Sequence, residues 1–345
     1  MTSVPLQTPA RPPLVASPRR ALRAALPALS LALILIAIAY LNPRAMSYLG
    51  FNLMLNLAIP IALATIAQMF VITVNDLDLS IGTFVGFVGC VTATLLNAGF
   101  TGFERVEALF GAPLPPILAS PLIGIVVLLA CIALYAGLGA LIYLRNLPSI
   151  VVTLGMSFVW QGLAILLLPR PGGKAPEWLH GLMSYKTPFV PFPIVAAIVI
   201  AVVAHFGLMR TSYGAILRGA GGNPVAIGRA GWSLLTTRVV AFSLAGLFGV
   251  LSGMALIGLT TSADANIGNG YTLLSIAGVM LGGGEFVGGR VSPIGAVIGA
   301  LTLALAASSL LSFMHIPPDW QVAANGAILI IVLAARALIS RRESQ

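Results

Sequence analysis

Asp76 and Asp78 stand two residues apart in the stretch VNDLDLSIG (Val74–Gly82), between two long apolar runs. A carboxylate at membrane depth costs at least ~2.5 kcal/mol on insertion scales, so it faces a partner, a cavity or water. With Asn75 and Ser80, the two acids could line a path for a polar solute. Asp78 can equally cap the helix that follows, because an acid near a helix N-terminus accepts from its free N–H groups. No basic residue lies nearby in sequence to pair with either acid. Trp160 and Gln161 lie deep in another apolar run. An indole and an amide suit the apolar faces and hydroxyls of a sugar, but they also suit packing and a bond to a neighbouring helix. Other chemistry is missing. There is no G-x-x-x-x-G-K-[ST] to cradle ATP. The 2 cysteines and 3 histidines have no metal-ligand spacing. The chain is not expected to be an enzyme or to need a cofactor or metal.

The elements that position these residues follow from composition. Of 345 residues, 59% are hydrophobic and 8% charged, against about 25% charged in soluble domains. The apolar runs are continuous and long enough to cross a bilayer as helices, with no strand alternation. The expected fold is an all-α integral membrane protein. About ten transmembrane helices are read near 25–41, 52–74, 81–96, 121–144, 149–168, 191–209, 239–259, 271–284, 293–313 and 322–338. Residues 1–24 form a flexible tail, 25–340 one transmembrane domain, and 341–345 a second tail. Gly- and Asp-rich interruptions after the second and eighth spans invite comparison as broken segments of two repeats. On this topology Arg44, Arg105, Arg170, Lys174 and Lys186 fall on one side and the remaining basic residues on the other. The positive-inside rule then places both termini in the cytoplasm. The net charge of +9 reflects topology and does not call for nucleic acid.

One basic island breaks the apolar pattern: RTSYGAILRGAGGNPVAIGRAGW, Arg210–Trp232. Asn223-Pro224 reads as a helix start, with Asn as the cap and proline in the first turn. Gly231 suits the position just past the helix end. Gly221-Gly222 would allow a sharp turn before it. Arg218 and Arg229 frame this short helix, and Val225, Ala226 and Ile227 give it a small apolar surface. Held in the cytoplasm by two spans, within the loop 210–235, it would suit docking of another polypeptide.

This island resembles the coupling loop of ATP-binding-cassette permeases of the ribose/xylose/arabinose type, which reads roughly A-x-G-G-N-P-E-A-A-x-x-S-G. Gly221, Gly222, Asn223, Pro224, Ala226 and Gly231 match. VNDLDLSIG is similar to the family's T-G-G-I-D-L-S-V-G, with Asn75 and Asp76 replacing its two glycines. Leu281–Ala300 resembles L-G-G-T-S-L-S-G-G-R-G-S-V-I-G-T, where Glu285 is new and Arg290 its obvious partner. NLPSIVVTLGMSFVWQGLA resembles V-P-x-F-I-V-T-L-G-T-x-x-x-x-R-G-L-A, with Gln161 at the common Arg position. ADANIGNGY resembles A-D-P-N-A-G-x-G-Y and places Asp264 and Asn266 where a binding protein would dock. The resemblance implies a bacterial inner-membrane importer permease for a monosaccharide or similar solute. Its partners would be an ATPase subunit, a periplasmic or lipid-anchored solute-binding protein, a second permease copy or paralogue, and the lipid bilayer.

Overall fold

The computed structural model describes residues 18–96 and 116–315, with a few single positions beyond them. The expected span at 322–338 and the C-terminal tail lie outside this description. The other expected spans each coincide with a helix. Helix α1 covers Pro18–Leu41 and so starts inside the range read as a tail. After a short 3-10 turn come α2 (Tyr48–Asn56), α3 (Ala58–Thr73) and α4 (Ile81–Thr94). Then follow α5 (Pro116–Leu144), α6 (Ser149–Leu167), a surface helix α7 (Glu177–Met183), and α8 (Phe192–Val202), which continues as a π segment to Met209. The basic island holds α9 (Ser212–Gly222) and α10 (Pro224–Arg229). The chain then forms α11 (Leu234–Thr260), α12 (Tyr271–Leu281) and α13 (Pro293–Ala304), the last extended by a π turn and a short helix to Phe313.

Among the described residues five helices are long and apolar enough to cross a membrane, and the bent pair α2–α3 makes a sixth. The pair bends by 43°. Pro60, in the first turn of α3, has no N–H to give the carbonyl of Asn56, and the helix kinks where that bond is missing. Every residue of α3 is buried. It packs with α11, whose small residues let neighbours close in: Gly246 meets Tyr135, Gly249 meets Phe84 and Gly253 meets Val88.

Two helices are too short to cross alone. At 14 and 11 residues, α4 and α12 span about 21 and 16 Å. Each is preceded by non-helical chain, 74–80 for α4 and 261–270 for α12. Their N-termini meet: Gly82 N donates to Thr272 Oγ1 at 3.0 Å, and the backbones of Gly82 and Gly268 touch. The partner of the first broken segment is therefore 261–270, ahead of α12. The glycines after Leu281, which sequence offered as that partner, instead turn the chain into an α12–α13 hairpin. There the Gly295-x-x-x-Gly299 face sits directly on Gly278 and Gly282, the close approach that small residues permit in lipid.

A Cβ on Gly295 would collide with the Gly282 carbonyl oxygen, whereas one on Gly162 of α6 meets open space. Gly295→Ala is expected to cost about 1–3 kcal/mol through overpacking, and Gly162→Ala to cost nothing. Thermal unfolding in detergent would separate the two; equal midpoints would mean the hairpin has slack.

Candidate functional site: a polar crossing segment and the helix joined to it

Residues 74–80 run as non-helical chain among packed helices, so each backbone polar group needs a partner. Side chains from two helices supply them. Ser149 Oγ accepts from Leu77 N at 3.2 Å. Thr153 Oγ1 accepts from Leu79 N at 3.0 Å and donates to Leu77 O at 3.2 Å. The Gln68 amide, oriented to satisfy both of its ends, donates to Asp78 O at 3.0 Å and accepts from Asp78 N at 3.2 Å. The segment is thus stitched to α3 on one side and α6 on the other.

Its two carboxylates have separate fates. Asp78 is fully buried. Its Oδ1 accepts from Ser80 N and Ser80 Oγ, both at 2.7 Å, and its Oδ2 from Tyr135 OH at 3.0 Å. Ser80 is the residue before α4, so Asp78 closes a turn into that helix, two residues ahead of a formal cap. Asp76 faces Arg238, on the first turns of α11. Arg238 Nη2 donates to Oδ1 at 3.2 Å, and Nε lies 2.6 Å from Oδ2 as a close ion pair, off the hydrogen-bond direction. The guanidinium also sits 5.8 Å above the Tyr143 ring, a cation–π distance.

Asn75 turns the chain. Its φ is +63°, in the left-handed region that asparagine tolerates better than most side chains. The substitution of a family glycine therefore keeps the backbone geometry that glycine would allow. The Asn75 amide is used as well: Nδ2 donates to Gly221 O at 2.6 Å, and Oδ1 accepts from Gly288 N at 3.2 Å.

Gly221 belongs to α9, a helix that the sequence reading left as loop. Thr211 caps α9 through Gly214 N, and its buried face is Gly214, Ile216, Leu217, Ala220 and Gly221. Gly221 and Gly222 end this helix and do not form the expected sharp turn. Gly221 is needed for space, since a Cβ there would strike Thr73 O. Arg218 is also less free than expected: its Nη1 donates to Met209 O at 2.6 Å. The chain breaks at Asn223, whose Oδ1 accepts from Ala226 N at 3.0 Å and so caps α10. Gly231 follows α10 at φ +85°. No residue of α10 is buried. Ile227 leans back on Gly219, which leaves Val225, Ala226 and Trp232 as its exposed apolar surface.

The remaining singled-out residues divide in two. Trp160 is 1% exposed and stacks on Phe87 at 5.3 Å, with Phe84 at 4.9 Å. It is packed inside an aromatic cluster, with its indole nitrogen unpartnered. Gln161, half-buried, donates from Nε2 to Asn266 Oδ1 at 2.8 Å, and Asp264 Oδ1 accepts from Asn266 N at 2.9 Å. Gln161, expected in the pathway, and Asp264 and Asn266, expected at the docking site, therefore form a single hydrogen-bonded chain. Glu285 and Arg290 do pair, at 3.4 Å, but both are exposed, and such a pair contributes little.

The model of one protein family, the branched-chain amino acid transport system / permease component, matches residues 50–333. This chain belongs to that family. Its relatives include the probable ABC transporter permease protein YphD of Escherichia coli (strain K12), 28% identical over 332 residues, which cover 91% of this chain and 90% of the relative. The probable ABC transporter permease protein y4mJ of Sinorhizobium fredii is 28% identical over 91% of this chain and 89% of its own. The autoinducer 2 import system permease protein LsrC of Yersinia pseudotuberculosis is 28% identical over 82% of this chain and 76% of its own. No solved structure matches. The chain is thus a multi-pass permease subunit of an ATP-binding-cassette importer, a transport component without catalytic activity.

In this permease the residues that sequence missed are the partners: Gln68, Tyr135, Ser149, Thr153, Arg238 and Thr272. Arg238 left a signal, because a cation at the head of an apolar run needs an acid. Breaking its pair should be costly. Arg238→Met strands a buried carboxylate and is expected to cost about 3–5 kcal/mol; adding Asp76→Asn should recover most of the loss. Asp78→Asn should be milder than Asp78→Ala, since asparagine keeps an acceptor for Ser80 N. Folded yield and thermal midpoint in detergent test both series. No rescue by the double variant would show that the two residues act independently.

Proposed function

We propose that this chain imports a monosaccharide or a similar uncharged polar solute, driven by a separate ATPase subunit that docks on α10. The observation that carries the reading is α10 itself. A helix this short is not stable alone in water, yet this one is capped at both ends and buries no residue. Such a helix has the form of a plug for a partner's cleft, with Ala226 and Val225 as contacts and Arg229 at its rim. Asn223, Pro224 and Gly231 shape it, Gly221 seats it on the membrane bundle, and Gly222 and Arg218 belong to its support. This arrangement suits an inner-membrane complex of two permease copies, or one copy and a paralogue, two ATPases and a solute-binding protein. The loop with Asp264 and Asn266 would receive the binding protein, and both termini would lie in the cytoplasm.

The solute class is argued from charge. Asp76 is neutralised by Arg238 and Asp78 is fully buried among donors. The half-buried Gln161 and the exposed Asn266 offer amides, which suit hydroxyls better than charges. Asn75, Asp76, Asp78 and Ser80 then shape the pathway, and Trp160 backs it from the core. A relative named for autoinducer 2 import favours a signalling-molecule permease as the second reading. The family's name keeps a branched-chain amino acid in view as well. An ion-coupled secondary transporter would need a vacant carboxylate, and both acids are taken.

Screening the cognate solute-binding protein against sugars, polyols, nucleosides and amino acids tests the solute. Purified permease alone in liposomes should show no uptake driven by ATP or by an ion gradient; proton- or sodium-driven uptake by this chain alone would sink the reading. Ala226→Trp should leave the chain folded but abolish co-purification of the ATPase and uptake. Arg229→Glu should weaken that association more at low salt than at high, because exposed charges are screened.

A further inference from the structure

We propose that Asn75 is the joint that carries movement of α10 into the crossing segment, a role that rests on α10 being the ATPase dock. The α9–α10 unit is tied together: Asn223 caps α10, and Gly221, two residues earlier, is the penultimate residue of α9. Around Gly221 three pieces of backbone pack without side chains between them. A Cβ on Gly221 would strike Thr73 O and approach Gly289, and one on Gly289 (φ +64°) would strike Arg218 O. Bare backbones in contact can slide, because nothing interlocks.

Asn75 supplies the lock. Among the described residues its amide makes the hydrogen bond between the crossing segment and α9, to Gly221 O, and also holds Gly288 N. A bond of 2.6 Å fades within roughly 1 Å of displacement, so α9 cannot shift without either dragging Asn75 or releasing it. Beyond Asn75 the path is stiff. Asp76 is held by Arg238, Leu77 and Leu79 by Ser149 and Thr153, and Asp78 by Gln68, Ser80 and Tyr135. A pull on Asn75 therefore reaches the N-terminus of α4, where Gly82 meets Thr272. Asn75 positions the segment and needs no contact with solute.

The test uses the full permease–ATPase complex in liposomes and requires no solute. A cysteine is placed at the half-buried Leu79, since native Cys90 and Cys131 are buried. Its rate of modification by a charged maleimide is read with and without ATP plus vanadate. Asn75→Gly keeps the left-handed backbone at no steric cost and removes both bonds. Asn75→Asp keeps an acceptor for Gly288 N but loses the donor to Gly221 O. With Asn75 present, ATP plus vanadate should change the Leu79→Cys rate about tenfold, the scale of one or two hydrogen bonds. In both variants that response should vanish while the ATPase still co-purifies and basal ATP hydrolysis persists. A response retained in either variant overturns the proposal, as does its absence in the Asn75 protein with ATPase bound. Loss of the ATPase from the variants alone makes Asn75 a docking support and also overturns it. If Asn75→Gly lowers the thermal midpoint too far to assay, Asn75→Asp decides. Failure of the ATPase to bind the unaltered chain is a different result, and it removes the docking role of α10 itself.

Discussion

A stretch of non-helical backbone between packed, apolar helices cannot leave its N–H and C=O groups bare. That constraint organises the permease. Residues 74–80 draw Gln68 from α3 and Ser149 and Thr153 from α6. Tyr135 from α5 and Arg238 from α11 are drawn in by carboxylates and not by the backbone. Helices that share no sequence neighbourhood are brought to one place because a single segment needs all of them. The close packing of α11 on α4 and α5, with glycine against ring and methyl, gives these donors a fixed frame. Ion pair and stitching depend on each other, since the pair at Asp76 is held in register by the bonds one and three residues on.

The second broken segment meets the first. Residues 261–270 precede α12 as 74–80 precede α4, and the two helix starts meet at Gly82 and Thr272. Helix N-termini carry partial positive charge, so two of them facing a common point favour electron-rich atoms there. Thr272 Oγ1 already serves Gly82 N in this way. Short helices whose starts meet within the bundle also need no spanning length.

Local features were legible in the sequence where the chemistry is local. The Asn223 cap, Gly231 at positive φ and the Glu285–Arg290 pair all depend on residues within a turn or two of one another. What sequence could not supply was distance-spanning pairing. Asp76 and Arg238 lie 162 residues apart, and no periodicity links them. Helix α9 was hidden for another reason. Its glycines read as loop, yet they are present so that α9 can touch bare backbone at Thr73 and Ile227 can rest on Gly219. A side chain at a glycine position usually threatens the backbone geometry there; asparagine, as at Asn75, is among the exceptions. The span at 322–338 lies outside the described residues.

The packing of Trp160 has an optical corollary. Of the 4 tryptophans, Trp178, Trp232 and Trp320 are 58%, 49% and 65% exposed, while Trp160 is 1% exposed with its nitrogen unbonded. An indole in so dry and apolar a place emits at shorter wavelength than one in contact with water or headgroups. Tyr135 joins the donors around Asp78 to this aromatic stack, its ring lying 6.2 Å from Trp160. The permease thus carries a native fluorophore two contacts from its buried carboxylate, spectrally separable from the surface indoles without any added dye.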